Sequence, residues 1–147
     1  LVLKDVYNLL SHQMKMANIH FYTDFNARND LVWCNDNQIK QVCVALLVNA
    51  QEAITGAGLP DGRIIIGSAV KDDHVQVCFQ DNGPGIGPEH VPRLTERFYR
   101  VDASRSNSGN NHGLGLAIVK AIALMHGGDV FVRSDRGMNT FGIYLPV

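Results

Sequence analysis

The chain reads as a single α+β domain, a two-layer sandwich in which about three helices pack on one mixed, mostly antiparallel sheet. Two patterns carry that reading. Long segments repeat apolar residues at helical spacing, and strand-like segments come mainly in pairs joined by short turns. Size agrees: 147 residues, 46% of them hydrophobic, make one domain that can bury a core without staples.

Residues 1–17 are expected to form a helix, with Val2, Val6, Leu9, Leu10, Gln13 and Met16 near helical spacing. Ile19–Phe25 alternates as a strand, with Ile19, Phe21, Thr23 and Phe25 on one face. Asn26–Asp30 is a turn cluster and Leu31–Cys34 a short strand. Asn35 followed by Gln38 is a capping-box pattern that opens a strong helix. Its stripe is Ile39, Val42, Cys43, Leu46, Ala50 and Ala53. Gly56 and Gly58 end it, and Pro60 prevents its resumption. Arg63–Val70 and His74–Gln80 form a hairpin across Lys71–Asp73. Asp81–Pro88 is a loop rich in glycine and proline, Glu89–Tyr99 includes a short helix, and Arg100–His112 is a long polar loop. Leu114–Met125 is the second strong helix, with Leu114, Ala117, Ile118, Ala121, Ile122 and Met125 as its stripe, ended by Gly127–Gly128. Asp129–Ser134 and Thr140–Val147 close the sheet around an Asp135–Asn139 turn.

Composition removes several classes of function. Thirteen basic against fourteen acidic side chains give a net charge of −1, so no broad electrostatic footprint for nucleic acid or an anionic membrane exists. No window approaches the ~20 apolar residues of a membrane span, and no signal segment opens the chain. The first residue, Leu1, suggests a piece of a longer protein. Cys34, Cys43 and Cys78 are odd in number and lack C-x-x-C spacing, which fits reduced thiols in a cytoplasmic domain. The six histidines have no metal-site spacing.

Four features carry chemistry. Asn49 lies at the edge of a buried stripe, either as a satisfied core amide or as an oxygen ligand for a hard cation such as Mg²⁺. Asp81-Asn82-Gly83-Pro84-Gly85-Ile86-Gly87 puts a carboxylate at a strand end before glycines that let backbone approach a flat ligand; it is a glycine-rich turn or an acceptor for an exocyclic amine. Gly113-Leu114-Gly115-Leu116 opens a helix, whose free N–H groups suit phosphate. Glu96-Arg97-Phe98-Tyr99-Arg100 leads into the polar loop, with Arg97, Arg100 and Arg105 as cations able to reach phosphate or to sit solvated on the surface. No Rossmann fingerprint, Walker-type loop or H-R-D segment is present.

The order of these features resembles the nucleotide-binding family shared by sensor histidine kinases, DNA gyrase, heat-shock chaperones and mismatch-repair ATPases, over about residues 18–146. The match is best to the catalytic, ATP-binding domain of two-component sensor histidine kinases. Leu94–Asp102 and Gly113–Lys120 are its most specific segments. The resemblance implies the Bergerat ATP-binding fold with a flexible lid at about 99–112, and ATP with Mg²⁺ as ligands. It implies that Asn49 holds Mg²⁺, that Asp81 reads the adenine amine, and that Gly83, Gly85 and Ile86 shape that wall. Glu52 and Ala53 then flank the nucleotide. Phe98 and Tyr99 stand at the lid base, and Arg100 and Arg105 are lid cations. Gly113, Leu114, Gly115 and Leu116 face the phosphates. The usual G-x-G-T run is replaced by Asp135–Thr140, so Thr140 or Asn139 takes the place near adenine. Two departures matter further. Ala45 stands where gyrase-like ATPases carry a water-activating glutamate, which argues against autonomous hydrolysis. Glu52 stands where many sensor kinases carry a lysine.

None of the six histidines is followed by an acidic residue, so the phosphoacceptor is expected on a separate dimerisation domain. Residues 1–17 are then the end of a linker helix and 18–147 the catalytic domain. The expected activity is transfer of the ATP γ-phosphate to that histidine, and onward to a response regulator. The fragment is expected to be monomeric and without direct membrane contact, within a dimeric, membrane-anchored parent. A nucleotide-sensing domain without transfer activity, or a gyrase- or chaperone-like ATPase, are the alternatives.

Overall fold

The computed structural model describes residues 2–25, 34–58, 60–85, 89, 94, 115–135 and 137–146. Along the chain run α1 (Val2–Met16), β1 (His20–Phe25), α2 (Asp36–Gly56), β2 (Arg63–Lys71), β3 (His74–Asp81), α3 (Gly115–Met125), β4 (Asp129–Asp135) and β5 (Met138–Pro146). The strands form one sheet in the order β1-β2-β3-β5-β4. β1 and β2 are parallel, as their connection through α2 requires, and every other pair is antiparallel. The expected α+β sandwich is therefore what forms. The strand at Leu31–Cys34 and the helix within Glu89–Tyr99 fall largely outside the described residues, and the lid at about 99–112 lies wholly outside them.

Register decides which residues face the helices. Ile66, Phe79 and Phe141 carry the pattern, pairing across the sheet as Ile66↔Phe79 and Phe79↔Phe141. Val75, Val77, Phe79 and Asp81 on β3 therefore share a face with Leu145, Ile143, Phe141 and Asn139 on β5. Against that face lies the buried stripe of α2: Ile39, Val42, Cys43, Leu46, Leu47, Ala50 and Ile54. Burial pushes the Cys43 thiol up to about 12, so it packs as a small hydrophobe.

Two helices sit in a different rotation from the expected one. In α1, Val6 and Met14 are buried, with Leu3, Tyr7, Leu10 and Ala17 packed on the core, while Leu9 is 71% and Met16 72% exposed. The segment contains two overlapping apolar stripes, and the one that includes Tyr7 wins. In α3, Val119, Ile122 and Ala123 are buried and Leu116 packs on the core, whereas Ile118, Ala121 and Met125 face outward. That helix is apolar nearly all round, so spacing alone gives no phase.

Helix ends follow local chemistry. Asn35 Oδ1 accepts the N–H of Gln38 at 3.1 Å, as the capping pattern predicts. The N–H of Asn35 is satisfied by His126 Nε2 at 3.1 Å, and His126 Nδ1 bonds the carbonyl of Ile122 at 2.8 Å. The histidine thus ties the start of α2 to the end of α3. α1 and α3 both close in Schellman turns. In α1, Asn18 takes the left-handed conformation (φ 58°) and Ile19 N–H reaches the carbonyl of Met14. In α3, Gly127 does so (φ 80°) and Gly128 N–H reaches Ala123. Gly128 has a second constraint, since a Cβ there would strike the Tyr144 carbonyl at 1.8 Å.

Candidate functional site

Asp81 is the last residue of β3, on the face covered by helices, and is 0% exposed. Its Oδ1 accepts two hydrogen bonds, from Gly83 N–H at 2.9 Å and from Asn139 Nδ2 at 3.0 Å. Its Oδ2 is buried and has no hydrogen-bond partner among the described residues. Burial pushes the carboxyl above its ordinary value of 3.8, and the two hydrogen bonds pull it back down. A buried acceptor left open on one side costs free energy in the ligand-free protein. That oxygen is chemically able to accept from an N–H donor.

The loop after Asp81 is held on both flanks by asparagines. Asn82 Oδ1 accepts the Arg63 N–H at 2.7 Å, and its Nδ2 donates to the Asp61 carbonyl at 2.8 Å. From β5, Asn139 Nδ2 donates to the carbonyls of Gly83 at 3.3 Å and Pro84 at 2.9 Å. Gly83 rests on α2. A Cβ there would stand 2.9 Å from Asp81 Oδ1 and 3.2 Å from the Ala53 Cβ, so only glycine leaves the carboxylate in place. Gly85 meets no such limit, its nearest neighbour being Ser134 Oγ at 3.8 Å.

Contact between Gly83 and Ala53 places α2 over the loop. Ala45, Asn49 and Ala53 are spaced by four and form one row along that helix, each step about 6 Å apart. Asn49 is half-buried, and its amide makes no hydrogen bond with any described residue. It offers a hard oxygen donor one turn from Ala53, which suits a divalent cation with few protein ligands. Ala45 packs on the core and presents no proton acceptor. Glu52 stands beside this row and is engaged in contacts of its own. No group of three or more His, Cys, Asp or Glu able to hold a metal occurs among the described residues.

Gly115 and Leu116 open α3, which packs against α2. A Cβ on Gly115 would meet no described atom within 4 Å, so no described neighbour demands glycine there. Ile86, Phe98, Tyr99, Arg100, Arg105, Gly113 and Leu114 lie outside the described residues.

The structure separates the two candidates near the end of the chain. β5 begins at Met138, two residues before the expected start, which moves Asn139 from the turn into the ladder opposite Asp81. Thr140 falls on the other face, opposite Gln80, whose Nε2 donates to its Oγ1 at 3.4 Å. Asn139, not Thr140, therefore reaches Asp81. The alternation Phe141, Ile143, Leu145 held the signal, since residues on that face include 139 and exclude 140. Ser134 was not anticipated. Its hydroxyl donates to Asn139 Oδ1 at 2.6 Å, and nothing but strand register announces it.

Comparison with known proteins points the same way. The family model described as "Histidine kinase-, DNA gyrase B-, and HSP90-like ATPase" matches residues 34–147. Sensor histidine kinase CusS of Escherichia coli (strain K12) is 49% identical over 88 residues, which is 59% of this chain and 18% of CusS. The chain thus spans about a fifth of that relative. The catalytic domain of histidine kinase ThkA superposes with a TM-score of 0.83 at 26% identity, covering 99% of this chain and 90% of that one. ThkA in complex with response regulator protein TrrA superposes with a TM-score of 0.78 at 24% identity, over 99% of this chain and 39% of the other. Full-length ShkA in complex with AMPPNP gives 0.82 at 23% identity, over 99% and 29%. These last two likenesses speak to the fold alone.

Proposed function

We infer the function from what this chain is: it belongs to the histidine kinase-, DNA gyrase B- and HSP90-like ATPase family, and its fold is that of histidine kinase catalytic domains. We propose that it binds ATP with Mg²⁺ and presents the γ-phosphate to a histidine on a dimerisation domain of the parent kinase, from which the phosphate passes to a response regulator. The observation that carries this reading is the unpartnered, buried Oδ2 of Asp81 beside a glycine that no other residue can replace without displacing the carboxylate. AMPPNP in the ShkA complex, and TrrA in the ThkA complex, lend the same ligand and the same kind of partner to this fold.

Each group then has a task. Asp81 Oδ2 accepts a hydrogen bond from the exocyclic amine of adenine, and Gly83 lets the base approach. The amide oxygen of Asn49 is the ligand offered to Mg²⁺, which when bound would offset phosphate charge. The N–H groups that open α3 at Gly115 face the phosphates, and Arg100 and Arg105 supply lid cations. Transfer of this kind depends chiefly on positioning and charge stabilisation, which suits such a site. The attacking imidazole comes from the partner domain. Ala45 leaves no group on its row to activate water, so the isolated domain holds ATP with little hydrolysis. No helix among the described residues is long and apolar enough to cross a membrane.

Calorimetric titration with AMPPNP and Mg²⁺ tests the reading. Wild type is expected to bind and Asp81→Asn to bind far more weakly. Equal binding by both would remove adenine recognition by Asp81. A second arm adds the histidine-bearing domain of the parent and ATP, and phosphohistidine is the expected product. Steady hydrolysis by the domain alone would instead favour the gyrase-like alternative.

A further inference from the structure

Asp81, Asn139 and Ser134 form a row across three neighbouring strands, since Asp81 pairs with Asn139 and Ser134 pairs with Asn139. Asn139 is 2% exposed, and every polar atom of its side chain is engaged. Three oxygens surround Nδ2, namely Asp81 Oδ1, the Gly83 carbonyl and the Pro84 carbonyl. A single hydroxyl, from Ser134, donates to Oδ1. This surrounding fixes the amide's orientation, because a flip would aim Oδ1 at three acceptors. A hydroxyl side chain at 139 would carry one proton for three acceptors.

We propose that Asn139 is a positioning residue for nucleotide recognition: its amide binds Oδ1 of Asp81 and the backbone of Gly83 and Pro84 into one unit, so that Oδ2 is the acceptor of Asp81 left for the base. The proposal rests on the nucleotide reading above. It assigns Ser134 a supporting part, as the donor that keeps the amide from turning.

The arrangement also governs the charge of Asp81. Burial favours the neutral acid, whose proton on Oδ2 would face the incoming amine proton. The N–H groups of Asn139 and Gly83 oppose that, and no charged side chain among the described residues acts on the carboxyl. Asn139 thus holds the direction of the acceptor and opposes its protonation.

Two near-isosteric variants test this with opposite pH signatures. Asn139→Leu removes the donors, so Asp81 takes up its proton at higher pH. AMPPNP binding is expected to weaken about tenfold near neutral pH, and the deficit is expected to grow on acidification. Asn139→Asp sets two carboxylates side by side. Its deficit is expected to be largest at high pH and to shrink on acidification, as one shared proton restores a donor to Oδ1. A general loosening of the fold would move both variants alike. In parallel, the Asp81 carboxyl carbon is titrated by NMR in the nucleotide-free protein, with an upward shift expected in Asn139→Leu. If leucine unfolds the corner, Asn139→Thr, which keeps one donor, is expected to fall between wild type and complete loss in both readouts. Wild-type AMPPNP binding together with unchanged affinity and Asp81 titration in the variants overturns the proposal and leaves the nucleotide reading standing. A wild type that does not bind AMPPNP overturns the nucleotide reading and with it the recognition role, whatever the carboxyl titration shows.

Discussion

The corner at Asp81, proposed to read the base, and the helical row at Asn49, proposed to meet Mg²⁺, are built in opposite ways. At Asp81 one oxygen is tied by two hydrogen bonds, the loop is clamped by Asn82 and Asn139, and a single buried acceptor is left over. At Asn49, a turn of helix away, the amide is half-buried and makes no hydrogen bond with any described residue. One region is organised before a ligand arrives, and the other is a donor on a rigid helix awaiting its partner. On the proposed reading, the contrast teaches where hydrogen bonds are spent before a ligand arrives: on the side that meets the flat base, and not on the side that meets Mg²⁺.

The sharpest way to break the contrast is Asp81→Asn. Replacing an ionised acceptor by an amide is expected to weaken AMPPNP binding by roughly 100-fold, the scale of a lost charge-assisted hydrogen bond. The same change is expected to stabilise the ligand-free fold. A buried acid whose folded pKa is raised penalises folding at pH above that raised value, and the penalty fades as pH falls toward the unfolded value of 3.8. The amide has no charge to desolvate, so a thermal midpoint at pH 7 about 2–4 °C higher is expected from a gain of about 1 kcal/mol. Calorimetry with and without nucleotide checks both arms. A variant that lost stability and affinity together would mean that Asp81 is structural.

Gly83→Ala comes next. Its Cβ would crowd Asp81 Oδ1 and Ala53, so about a tenfold loss of affinity is expected together with about 1–3 kcal/mol of stability, read by denaturant titration. The other region answers differently. Asn49→Ala is expected to leave stability within about 0.5 kcal/mol and to abolish only the Mg²⁺-dependent part of AMPPNP binding, seen by titrating with and without EDTA. If Asn49→Ala cost as much stability as Gly83→Ala, the two regions would not differ as described. The smallest effect is at Gly115→Ala, where the added methyl meets no described atom. Stability is expected to stay level or rise by a few tenths of a kcal/mol, so even a few-fold loss of affinity would report a ligand close to that backbone.

Legibility from the sequence followed the same division. The linear order of Asn49, the Asp81 loop and the glycine pair at Gly113 and Gly115 is legible in the sequence itself, and of these the structure describes Asn49, residues 81–85 and Gly115. α2 was readable because its apolar spacing has a single phase and its cap is local. α1 and α3 were found but rotated, since one contains two competing stripes and the other is apolar all round. Asn139 and Ser134 depended on strand register, which is settled by long-range pairing. The two-residue error at the start of β5 was enough to leave open which of Asn139 and Thr140 reaches the site.

The place of β5 in the sheet has a consequence for how the molecule is made. It is the last of the five strands in sequence, yet it lies between β3 and β4, so the last of them to be synthesised completes the interior of the sheet. A nascent chain extended only through β3 already carries Asp81, but it lacks Asn139, Ser134 and the strand that seats Phe79 against Phe141. Contacts that span so much sequence form late in folding. On the proposed reading, competence to hold nucleotide is thereby coupled to synthesis of β5, and a chain cut short before Met138 is expected to carry Asp81 without the strand that orients it.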